Sequence, residues 1–208
     1  MIKNNLNVLL AERNYTATDL HEGTGISKTT LTSLVNNTGK GVQMDTIDKI
    51  CNFLDVNISD FFIYSPYMID LEYSEKEYGH LIEIKTTRKG IERSYFLNFM
   101  FNSPEYEKDP DTINLTKPYD LEVILYFDDD YFIDVFKQLD IGFRTDFYNR
   151  LTDFTLETLK NINKNTGIEA YTSTRKKETI KLTKDHIIAL VIFPDNTGFS
   201  RVVYTSID

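Results

Sequence analysis

A chain of 208 residues is long enough for one large domain or two small ones, and its 41% hydrophobic content supplies material for packed cores rather than a disordered polymer. The single cysteine, Cys51, excludes an internal disulfide and any paired-cysteine metal site; the N-terminal Met1-Ile2-Lys3-Asn4-Asn5 has no leader pattern, and no run approaches the ~18 apolar residues of a membrane span, so a cytoplasmic protein is expected. The net charge of −9 tells against a large basic surface, but it is unevenly placed: residues 1–66 carry five Lys/Arg against seven Asp/Glu (5 − 7 = −2), and residues 67–208 carry 18 against 25 (18 − 25 = −7).

From Ile2 to Phe62 the apolar residues recur at helical spacing in short pieces. Leu6, Leu9, Leu10 and Arg13 mark a first helix that closes at Asn14-Tyr15. Thr16 can cap a second helix carrying Leu20, Gly25 supplies a tight turn, and Ser27 can cap a third with Leu31 and Leu34 three apart. The polar run Asn36-Asn37-Thr38-Gly39-Lys40-Gly41 reads as a loop, since Asn and Gly tolerate left-handed backbone. A fourth helix places Ile47, Ile50, Cys51 and Leu54 on one face, where Cys51 reads as a small core residue, and Ser59-Asp60-Phe61-Phe62 forms a short last helix.

After Tyr64-Ser65-Pro66 the period changes from helical to alternating, which sets a domain boundary at 66/67. Strands are expected over Tyr67–Tyr73, Gly79–Thr87 and Ile91–Phe101, with a hairpin turn at Arg88-Lys89-Gly90. An acidic, proline-containing loop spans Ser103–Pro118, and a fourth strand follows at Tyr119–Phe127. Asp128-Asp129-Asp130 opens a helix through Leu139, and a longer one runs from Phe143 to Asn163 with Phe147, Leu151, Phe154 and Ile162 along its stripe. The unbroken apolar run Ile187–Phe193 reads as a buried strand, turned by Asp195-Asn196-Thr197-Gly198 into Phe199–Thr205. The fold expected is an all-α five-helix domain at residues 1–66, followed by an α+β domain at residues 67–208 of mainly antiparallel sheet plus two helices.

The segment Thr16–Asn37, TATDLHEGTGISKTTLTSLVNN, has what a helix-turn-helix needs: a small turn residue, apolar contacts locking two helices, and short polar side chains on the outer face of the second. It resembles the lambda-repressor/Cro-like (XRE) family, with Leu20, Gly25-Ile26-Ser27, Leu31 and Leu34 at that family's core and turn positions. The resemblance continues through NNTGKGVQMDTIDKICNFLDVNISDFF, where the family places its fourth and fifth helices. It implies a recognition helix from Ser27 to about Val35 that enters the major groove of an operator. Lys28, Thr29, Thr32 and Ser33 then face out to read bases, and Thr16, Ser27, Asn36 and Lys40 hold phosphates. Two departures stand out. Ala17 occupies a position where the family often has a phosphate-binding Gln, and His21 one where it favours Ala.

Other candidate chemistry is thinner. Repressors of this type often carry a self-cleaving peptidase, but the chain shows no Ala-Gly or Cys-Gly site between its domains and no evident nucleophile motif, so a non-cleavable protein is expected. Asp128–Asp130 could bind a divalent cation, yet acids also suit a helix N-terminus. His21, His80 and His186 are scattered, Glu105, Glu107, Asp109 and Asp111 read as a solvated loop, and Arg175-Lys176-Lys177 as a solvated hairpin tip. The reading is a non-enzymatic transcriptional repressor of phage or mobile-element type. No cofactor, metal or membrane is expected. Its partners would be double-stranded operator DNA, a second copy in a homodimer, and an antirepressor protein or ligand that relieves repression. The alternatives are a DNA-binding antitoxin paired with a toxin, or an enzyme that uses the motif for targeting.

Overall fold

The computed structural model of the chain describes residues 1–76, 79–106, 115–195 and 198–207, leaving aside the side chain of Lys76. Its contacts divide into two units, Met1–Tyr67 with Leu139–Arg144, and Met68–Gln138 with Thr145–Asp208.

In unit 1, β1 (Ile2–Asn4) leads into α1 (Leu6–Glu12), α2 (Ala17–Thr24), α3 (Lys28–Val35), α4 (Met44–Leu54), α5 (Ile58–Phe61) and β2 (Phe62–Tyr64). These helices are too short to persist alone in water, where about 12–15 residues are marginal, so a common core must hold them. That core is Leu6, Leu9, Leu10, Leu20, Ile26, Leu31, Leu34, Ile47, Ile50, Leu54 and Phe61, with Cys51 half-buried at its margin. The end of α1 is tied down twice. Asn14 takes a left-handed backbone (φ 56°), and the Arg13 guanidinium donates to the Leu54 carbonyl at 2.9 Å, satisfying an acceptor in the last turn of α4.

The expected all-α five-helix character of this unit is overturned by β1 and β2, which pair antiparallel with Ile2 opposite Tyr64, Lys3 opposite Ile63 and Asn4 opposite Phe62. The Ser65 amide extends the ladder to the Met1 carbonyl at 2.9 Å, and the Met1 ammonium donates back to the Ser65 carbonyl. Three residues are too few to reveal an alternating period. The strand exists because a partner strand arrives from the far end of the same unit.

Among the described residues, unit 2 is built on an eight-stranded sheet. Its strands are β3 (Met68–Lys76), β4 (Gly79–Arg88), β5 (Ile91–Asn102), β6 (Leu121–Phe127), β7 (Ile168–Tyr171), β8 (Lys177–Ile180), β9 (Ile188–Ile192) and β10 (Arg201–Thr205). The order is β10-β9-β6-β5-β4-β3, and β7 leaves the path to pair with β5 and β8. The helical elements between β6 and β7 are α6 (Tyr131–Lys137) and α7 (Ile141–Asn165). The sheet is mixed. β6 and β9 run parallel from Leu121 opposite Ile188 to Leu125 opposite Ile192, and β5 meets β7 in parallel at Asn102 and Tyr171. A parallel pair needs a long crossover, so no local signal announces it. β9 lies between β10 and β6 and is buried along its whole length, as a strand covered on both faces is. The rings of Phe132, Phe136, Phe147 and Phe193 fill the core with centroids 5.3–6.4 Å apart. Glu107, Asp109 and Asp111 of the expected acidic loop, and Asn196-Thr197 of the expected last turn, lie outside the described residues.

Candidate nucleic-acid interface

The site is assembled from the α2–turn–α3 segment, where local side-chain bonds set each helix end. Thr16 caps α2: its hydroxyl accepts the Asp19 amide at 3.2 Å and donates to the Asp19 carboxylate at 2.7 Å. The carboxylate also accepts the Thr16 amide at 2.7 Å, completing a reciprocal capping box. The Thr16 hydroxyl first and its amide second hold the Asp19 carboxyl below its ordinary value of 3.8. A depressed folded value means that this contribution to stability is present above pH ~3.8 and is lost as pH falls through the folded value.

At the far end of α2, Gly25 sits in the left-handed region (φ 71°) with open space where a Cβ would project. Its requirement is backbone geometry, not room. The turn is also bridged by side chains. Thr24 donates its hydroxyl to the Leu20 carbonyl and accepts the Ile26 amide at 3.3 Å, and a ring nitrogen of His21 (Nδ1) donates to the Ile26 carbonyl at 2.7 Å. His21 therefore spans the turn with a polar bond where the family favours a methyl group. Ser27 then caps α3, its hydroxyl accepting the Thr30 amide at 3.2 Å.

Along α3, about 100° per residue places Leu31 and Leu34 together on one side, Thr29, Thr32 and Ser33 facing away from them, and Lys28, one turn before Leu31, on the flank. The two leucines are buried, and Lys28, Thr29 and Thr32 are exposed. These three form a continuous polar side with a cation at the N-terminal end and two threonine methyls beside it. Ser33 lies beside Thr29 at the far edge of the polar side. It is half-buried, and a Cβ on Gly39 would lie 2.9 Å from its hydroxyl, so the loop after α3 closes over it. Of the residues assigned to phosphates, Thr16 and Ser27 are exposed at helix N-termini but already engaged in caps. Asn36 is the exposed C-cap of α3, and Lys40 is an exposed cation in the loop.

The family profile of the Cro/C1-type HTH DNA-binding domain matches residues 5–67, the stretch that holds α1 to β2. A Bacillus subtilis (strain 168) protein described as an uncharacterized HTH-type transcriptional regulator, YozG, is 33% identical over 60 residues, which is 29% of this chain and 71% of that protein. This chain belongs to the Cro/C1-type helix-turn-helix family. No solved structure matches it significantly. The Cro/C1-type domain makes DNA the partner of unit 1, and the match ends at residue 67, so it carries nothing about unit 2.

Two residues that no local pattern in the sequence marks, Asn4 and Asn37, tie the end of α3 to β1. Asn37 is left-handed (φ 52°) just past the end of α3, and its side chain reaches back to Asn4 of β1. Asn in a loop signals the backbone conformation, but nothing local signals a partner 33 residues away. In unit 2, Asp129 accepts the Tyr131 amide at 3.0 Å at the start of α6, a helix-start role for the aspartate run. Among the described residues, no group of three His, Cys, Asp or Glu side chains could hold a metal ion, and no helix is long and apolar enough to cross a membrane.

Proposed function

We propose that this DNA-binding regulator of transcription is a sequence-specific repressor of phage or mobile-element type, acting in the cytoplasm by binding and not by catalysis. One observation carries the reading: a doubly capped helix pair, bridged across its turn by His21, presents Lys28, Thr29 and Thr32 on a single exposed side. Lys28 can donate to guanine O6 or N7, and the threonine methyls can touch thymine methyls. Ser33 reads bases from the margin of that side, while Asn36, Lys40 and the helix N-termini at Thr16 and Ser27 hold the DNA phosphates.

Residues 1–66 carry a net charge of −2, so few phosphates can be neutralised by one copy. Two copies in register would restore affinity, since linkage of two sites can raise it by roughly 10²–10⁴. The reading is therefore a homodimer on two half-sites, with residues 67–208 as the dimerisation and regulatory domain. Release would come from an antirepressor protein or a ligand acting on the uncleaved chain. Footprinting on DNA flanking the gene tests this. A protected inverted repeat with half-sites about 10–10.5 bp apart supports the reading, and uniform, sequence-independent protection contradicts it.

A further inference from the structure

The paired amides of Asn4 and Asn37 are not among the groups assigned to bases or phosphates. Asn37 behaves toward Asn4 as a neighbouring strand would. Its side-chain oxygen accepts the Asn4 backbone N–H at 2.9 Å, and its amide nitrogen donates to the Asn4 carbonyl at 3.0 Å. Asn4 answers from its own side chain, which donates to the Asn37 side-chain oxygen at 3.0 Å and to the Leu34 carbonyl at 2.9 Å. The remaining oxygen of Asn4 accepts the Leu6 amide at 3.1 Å. Asn4 is only 8% exposed, so losing these partners would strand buried polar groups.

The placement of these bonds gives them a role beyond holding the fold. The Leu34 carbonyl lies in the last turn of α3, where helical partners run out, and it accepts from both Asn4 and the Asn37 amide, the latter at 3.0 Å. The loop that begins there carries Asn36 and Lys40 and folds back over Ser33, with the Thr38 amide on the Ser33 carbonyl at 3.0 Å. Asn4 is itself held in β1, opposite Phe62 of β2. The end of α3 and the start of its loop are thus fixed against a ribbon remote in sequence, not by local capping alone.

We propose that Asn4 and Asn37 are positioning residues for DNA reading: they set where α3 ends and how the 36–41 loop stands beside it, and so bring the base-reading side and Lys40 to the duplex together. The proposal rests on α3 being the recognition helix. A wandering loop still offers its positive charge to any duplex, but not in register with a particular base sequence. Loss of the clamp therefore lowers specific binding while sparing non-specific binding.

The test uses the full chain and a duplex that it selects from a random pool, with a scrambled duplex of equal length as the reference. Asn37→Gly keeps a residue suited to the left-handed backbone and removes the amide. Measured below its unfolding transition, it should lose roughly tenfold or more in the ratio of specific to scrambled binding, the equivalent of one or more hydrogen bonds. A destabilised fold alone would scale both affinities equally and leave the ratio unchanged. Asn37→Asp keeps the oxygen that accepts both Asn4 donors, so its ratio should fall between the two, and it serves if the glycine variant is too unstable to assay. A ratio equal to that of the parent chain in either variant overturns the proposal. The Lys28→Ala/Thr29→Ala chain, run alongside, separates the two failures. If it also keeps its ratio, the recognition-helix reading falls and takes this proposal with it; if it loses its ratio while Asn37→Gly keeps it, only the clamp is wrong.

Discussion

The two units solve the same problem, fixing polypeptide in one arrangement, by different means. In unit 2 regularity does most of it: long ladders satisfy the backbone, and Phe132, Phe136, Phe147 and Phe193 fill the space beneath. In unit 1 the helices are short, and individual side chains hold their ends: Thr16 and Ser27 at N-termini, Arg13 on the end of α4, His21 across the turn, Asn4 on the end of α3. The difference teaches where each unit is vulnerable. A ladder tolerates the loss of one polar side chain, whereas an arrangement set by single bonds transmits each loss to the angle or end of a helix.

The largest loss is expected in the core of unit 2. Phe136→Ala should destabilise that unit by about 3–5 kcal/mol, the usual range for a buried aromatic ring, as read by denaturant unfolding. A loss under 1 kcal/mol would mean that the ring cluster is not what holds the unit. Leu31→Ala, at a fully buried site in unit 1, should cost about 2–5 kcal/mol.

Smaller effects sharpen the contrast at the turn. Gly25→Ala meets no steric obstacle, so its cost of roughly 1–2 kcal/mol comes from the left-handed backbone alone, and Gly25→Asn should recover part of it. Thermal unfolding that ranks Asn below Ala would contradict the backbone origin. Removing the α2 cap with Thr16→Ala should cost about 1 kcal/mol.

The smallest effect expected lies in unit 2. Burial lowers the titration of His80 below its ordinary 6.5, against the carboxylates of Glu75 and Glu169, which raise it, and with the Lys177 ammonium, which lowers it further. Nδ1 of the ring shares a hydrogen bond of 2.7 Å with the Tyr73 hydroxyl. Since the folded state takes up this proton less readily than the unfolded chain, stability is whole above ~6.5 and declines as pH falls through that value toward the folded one. His80→Gln should flatten the decline of stability as pH falls below about 6.5. An unchanged slope would assign it to other groups.

What the sequence made legible follows from distance along the chain. The caps at Thr16 and Ser27, the turn at Gly25 and the buried pair Leu31 and Leu34 are all local patterns, each set within three or four residues. The apolar run of β9 signals an interior strand, because a strand covered on both faces hides every residue. The pairing of β1 with β2, the parallel contact of β6 with β9 and the Asn4–Asn37 clamp were not legible. Each joins segments remote in sequence, and neither partner carries a local pattern that names the other. Ser33 shows the same limit. Helical spacing alone leaves it at the edge of the exposed side, and the loop that half-covers it comes from residues whose path spacing does not predict.

The most direct test of the account is selection of duplexes from a random pool by the full chain, with the Lys28→Ala/Thr29→Ala chain in parallel. Each good base contact contributes roughly 1–3 kcal/mol of discrimination, so removing both side chains should erase most of the selected preference while leaving weak, salt-sensitive binding. The parent chain should enrich a defined sequence, the double variant should lose most of that enrichment, and the two should have the same thermal stability. Enrichment of the same sequence by both chains would show that the exposed side of α3 does not read DNA.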